Sequence, residues 1–145
     1  MSEIENIIPS SLDTASLKEK KAFFQTLVCL AEIDGHADEE ELQFIASAAQ
    51  NNGIQNLQDI TGFKDETDVL QNVSCIKNRP LALELIKEMC TLSHIDNVLS
   101  DSEVLFIGKV GQTLGIEMEK IEQISNWIID RIIWLEQAKI IFERN

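Results

Sequence analysis

Proline and glycine are scarce in this chain, two and six in 145 residues, and no stretch alternates apolar and polar residues as a half-buried strand would. The sequence therefore reads as all-α. Cysteine is sparse too. Cys29, Cys75 and Cys90 form no CxxC pair and lie in apolar, helix-like surroundings. An odd number of such thiols suits a reducing cytosol better than a disulfide framework. Basic residues are outnumbered, 12 Lys and Arg against 25 Asp and Glu, for a formal charge of −13. That balance repels phosphate backbones and anionic membranes and argues against nucleic-acid binding. No apolar run approaches the ~20 residues of a membrane span. The N-terminus, MSEIENIIPSS, has neither the basic nor the apolar region of a signal peptide. Cytoplasmic location is the expectation. Catalytic signatures are missing as well: there is no GxSxG, Walker A, HExxH or Gly-rich dinucleotide loop. Cys29 and Cys90 have no adjacent basic group to activate a thiolate. A non-enzymatic protein is expected.

What is present is a globular composition, 44% hydrophobic and 26% charged, at a length that one domain with a real core can use. It also contains a duplication. Leu27 to Ile54, LVCLAEIDGHADEEELQFIASAAQNNGI, lies without a gap on Met89 to Ile116, MCTLSHIDNVLSDSEVLFIGKVGQTLGI, at an offset of 62. Asp34 falls on Asp96, Glu41 on Glu103, Phe44-Ile45 on Phe106-Ile107, and Gly53-Ile54 on Gly115-Ile116.

Each copy reads as apolar helix, Asp turn, acidic helix start, apolar helix, Gly stop. Gly35 and Asn97 tolerate the left-handed backbone that ends a helix. Asp38 and Ser100 stand as N-caps, with Glu41 and Glu103 at the third helical position, predicting a capping box in each copy. Ala37 with Leu42, and Leu99 with Val104, are placed for hydrophobic staples.

Along the chain, residues 1–12 are expected to be a loose arm carrying Ile4, Ile7 and Ile8. Ser16 to Glu19 opens the first long helix. The repeat halves occupy about 16–54 and 80–116, and a closing helix about 117–144. Residues 55–78 are the least regular, with a short turn near Ile60 and a further helix capped by Asp65 or Thr67. Pro80 fits the first turn of the next helix. Apolar residues from Ile121 to Ile141 recur at threes and fours, and Trp127, Ile133 and Trp134 widen that stripe enough to wrap both halves. The expected architecture is a six- to seven-helix bundle made of two pseudo-symmetric helix-turn-helix halves.

Two surfaces are candidate sites. Asp34, Glu41, Asp96 and Glu103, with Asp38 and Asp101 beside them, would gather carboxylates if the two turns meet. Hard cations such as Ca²⁺ or Mg²⁺ take oxygen ligands of this kind. Neither loop is an EF-hand, and turn closure and helix capping use the same residues without a metal. Zn²⁺ held by His36, His94 and the carboxylates is a remoter option; otherwise His36 is solvated and His94 bonds locally. The second surface is the stripe around Trp127 and Trp134, which could dock a partner helix or a second copy of the chain.

On IDGHADEEELQFI (Ile33 to Ile45) and IDNVLSDSEVLFI (Ile95 to Ile107), the chain resembles the tellurite-resistance TerB family. The same fold is found in the N-terminal domains of membrane-anchored J-domain co-chaperones. The resemblance covers roughly residues 16–116. It implies a non-enzymatic all-α bundle that serves tellurite or broader chemical-stress responses through a protein partner in membrane-associated complexes. It also implies divalent-cation binding by Asp34, Glu41, Asp96 and Glu103. Asn97 departs from the family's usual Gly, and Ala37 is smaller than its usual aliphatic residue. No membrane anchor or J-domain follows, so a co-chaperone role does not carry over.

Overall fold

A computed structural model describes residues 10–33, 35, 37–95 and 99–144. Among the described residues seven α-helices follow a short 3₁₀ turn, Ser11–Thr14: α1 Leu17–Glu32, α2 Glu39–Asn51, α3 Gln58–Thr61, α4 Glu66–Val73, α5 Arg79–Ile95, α6 Asp101–Leu114 and α7 Met118–Ile141. There is no strand among the described residues.

Helix starts follow local side-chain chemistry. Ser16 and Glu19 form a reciprocal capping box, at 3.1 and 2.9 Å, and so do Ser100 and Glu103, at 3.1 and 3.1 Å. The expected box at Asp38 takes a different form: its carboxylate accepts from the Glu40 amide at 2.9 Å, one position short of Glu41. The backbone explains the shift, because ψ is 128° at Asp38 against 160° and 156° at the two serines. Asp65, rather than Thr67, caps α4.

The two copies end alike. Gly53 (φ +90°) and Gly115 (φ +72°) adopt the left-handed conformation. Gly53 N–H donates to the Gln50 carbonyl and Ile54 N–H to that of Ala49, at 3.0 and 3.1 Å; the equivalent bonds from Gly115 and Ile116 measure 3.2 and 2.8 Å. These paired bonds satisfy carbonyls that the helix leaves open, and they deliver Ile54 and Ile116 into the core.

The duplication thus survives as geometry. α1 and α5 begin 62 residues apart, as do α2 and α6, and α2 packs on α1 as α6 packs on α5. α1 and α5 touch each other at the centre, and α1 is further enclosed by α3 and α4. Every residue from Ala22 to Ala31 is consequently buried. The polar members are paired: Thr26 Oγ1 donates to the Ala22 carbonyl at 2.7 Å, and Gln25 accepts from Asn72 at 2.9 Å.

Two expectations are corrected. The closing helix does not wrap both halves; its main packing partners are α5 and α6. Ile121 and Ile128 are buried, Ile124 and Ile132 partly so, while the outward side of its second half is left open. Of the arm expected over residues 1–12, residues 1–9 with Ile4, Ile7 and Ile8 lie outside the described residues, and residues 10–12 are anchored rather than loose. Ser10 Oγ and Ser11 N–H donate to the Glu84 carboxylate at 2.6 and 2.9 Å.

Candidate functional site

The halves differ most between α4 and α7. At the offset of 62, Glu66–Val73 of α4 falls on Ile128–Leu135, inside α7. The chain folds back before α4 because Thr61-Gly62 ends α3 and Asp65 opens a new helix. Gly62 and Asp65 fall on Ile124 and Trp127, which neither stop nor start a helix, so α7 continues straight. α4 therefore packs against α6, tied by Lys109–Glu66 at 3.2 Å, and α2 receives no corresponding cover from α7.

Phe44 and Phe106 record the result. They occupy the same place in the repeat, yet Phe106 is 0% exposed and Phe44 66%. Beside Phe44 runs a groove of about 840 Å³. Its walls come from Phe24 of α1, Phe44 and Ala48 of α2, Leu83 of α5, and Ile124 and Trp127 of α7, with Ser10–Leu12 at one edge. Charges on the rim cancel in number, Glu84 and Glu88 against Lys87 and Lys120. They are also engaged: Glu84 holds Ser10, Lys87 pairs with Glu88 at 3.0 Å, and Lys120 donates to Gln123 at 3.0 Å. Such a surface offers a ligand mainly apolar contact.

A second open surface continues along α7. Trp127 is 55% exposed and Trp134 66%; seven residues apart, they stand about 10 Å along one helix face. Ile133, Ile140, Ile141 and Phe142 are exposed with them. The sequence marked the two tryptophans but not Phe44. Its signal was the missing counterpart of the Gly62–Asp65 break, which leaves the match of Phe106 without a lid.

Of the acidic-turn residues, Asp34 and Asp96 lie outside the described residues, as do His36 and Asn97. Asp38 is exposed and serves as the α2 cap. Glu41 is half-buried on the first turn of α2, and Glu103 is half-buried in the Ser100 capping box. Asp101 is exposed at the start of α6. Among the described residues no group of three His, Cys, Asp or Glu side chains is placed to hold a metal ion. His94 does not bond locally; its Nε2 meets Ser125 Oγ of α7 at 3.0 Å.

The thiols are held protonated. Burial, with Glu66 and Glu32 adding to it, pushes Cys29 up to about 12, and burial pushes Cys90 up to about 11. Cys75, half-buried, is raised for the same first reason. No described helix is long and apolar enough to cross a membrane. Comparison with protein-family models, curated proteins and solved structures gives no match.

Proposed function

We propose that this chain is a non-enzymatic, TerB-like helical interaction module that receives an amphipathic helix of a protein partner on the groove beside Phe44. The observation that carries the reading is the contrast between Phe44, 66% exposed, and Phe106, 0% exposed, at matching places in the repeat. Large apolar surface held open beside a pre-formed groove marks an interaction site more often than an accident of packing. The resemblance in the two Asp turns supplies the context: a cytoplasmic role in tellurite or chemical-stress response, with a partner in a membrane-associated complex.

A divalent cation (Ca²⁺, Mg²⁺ or Zn²⁺) at the paired acidic turns is the second reading. It is favoured by the recurrence of acidic residues at equivalent helix starts, Glu39 and Glu41 in one copy and Asp101 and Glu103 in the other. Affinity capture from native lysate, with and without chelator, tests both. The expected result is a partner retained by the wild-type chain and lost with Phe44→Glu, a substitution at an exposed position. Loss on chelation and in Asp34→Asn with Asp96→Asn would instead assign recognition to the turns. A partner indifferent to Phe44→Glu would refute the groove.

A further inference from the structure

We propose that two copies of this chain pair reciprocally, each laying the C-terminal half of its α7 into the groove beside Phe44 of the other. The inference rests on the groove described above and deepens it by naming the occupant present when no other partner is bound.

Among the described residues, both parts of the joint lie unpartnered on one chain. The acceptor is the open surface over α2, whose counterpart over α6 is filled by the helix α4. The donor is the outward side of α7. Ile133, Trp134, Ile140 and Ile141 are spaced one and seven residues apart, so at 100° per residue they share the face opposite buried Ile128. These residues do not copy the α4 face, since Val69 falls on Arg131. What the repeat transmits is the vacancy, and a different apolar stripe fits it. α7 cannot close the groove on its own chain, because it lacks the break that turns α4 back and spends Ile121 and Ile128 on its own bundle. A second copy escapes that constraint, and donor and acceptor on one chain allow a closed two-fold pair.

Charge permits the contact in spite of the −13 total. From residue 128 to 144 there are three acids (Asp130, Glu136, Glu143) and three bases (Arg131, Lys139, Arg144). The groove rim is likewise balanced, Glu84 and Glu88 against Lys87 and Lys120. The negative excess therefore lies elsewhere, and the two surfaces meet without net repulsion. Area is also sufficient. Phe44, Trp127 and Trp134 are 66, 55 and 66% exposed. At about 200 Å² per aromatic side chain they supply on the order of 400 Å² per chain before the aliphatic residues are added, against about 800 Å² per partner in a standard interface.

Light scattering and sedimentation of the full chain over a wide concentration range test the pairing. The expected result is a mass of two chains for wild type, with tryptophan emission shifting to the red on dilution. Phe44→Glu and Trp134→Glu, both at exposed positions and checked for helicity by circular dichroism, should each raise the dissociation constant about 30-fold or more, the level of an interface hot spot. An equal mixture of the two variants restores one of the two joints, an intact helix from one chain meeting an intact groove on the other, and should dimerise more tightly than either variant alone. A wild-type monomer throughout, or a dimer that survives both substitutions, overturns the proposal. A monomeric chain whose captured partner is lost with Phe44→Glu would sink the pairing and leave partner docking standing. A dimer that loses mass in both variants but captures nothing would do the reverse.

Discussion

Gly53, Gly108 and Gly115 show how one substitution changes sign with backbone conformation. An added Cβ meets nothing within 4 Å at any of the three, so space does not decide the outcome. Gly53 and Gly115 sit at φ +90° and +72°, where an L side chain costs about 1–2 kcal/mol. Gly108 lies inside α6, where Ala is preferred by up to ~1 kcal/mol. Thermal melts should show Gly53→Ala and Gly115→Ala each lowering the midpoint by roughly 3 °C or more, and Gly108→Ala raising it by about as much. The cysteines give a pH dependence. In the unfolded chain they ionise near 9.0, whereas in the fold Cys29 and Cys90 hold their protons to about 12 and about 11. The contribution is therefore complete below pH 9 and is lost as pH rises through the folded values, because the unfolded state then releases protons the native state keeps. Denaturant melts should lose stability progressively above pH 9. Native Cys29 and Cys90 should also resist alkylation at pH 8 while half-buried Cys75 reacts faster.

At the scale of the helix, end signals were legible because they are local. Ser16-Glu19 and Ser100-Glu103 each specify a cap within four residues, and the Gly-Ile stops need only the helix they end. The irregular stretch before α5 proved equally local, with α3 ending at Thr61 and Asp65 opening α4. Side-chain pattern alone could not say which apolar face is covered. Phe44-Ile45 and Phe106-Ile107 read identically, yet α6 is packed against α4 and α2 has no such lid among the described residues. Truncation separates them. Phe106→Ala should cost about 3–5 kcal/mol by leaving a cavity, whereas Phe44→Ala, measured in dilute solution, should stay within about 0.5 kcal/mol. Equal losses in chemical denaturation would mean that the two helices are covered alike.

For the whole molecule, a bundle of six to seven helices in two related halves was present in the linear pattern, since a repeat at constant offset forces like elements to recur in like order. Net charge and the apolar settings of the thiols were likewise set by residue type and helical spacing. Tertiary structure decided where the symmetry stops. α7 runs on where α3 and α4 fold back, so one half covers its second helix and the other leaves it open. That outcome depends on which helix can reach which surface once all seven are packed, a long-range property that no window of sequence contains. The open groove beside Phe44, and the exposed flank of α7 that suits it, exist only at that level.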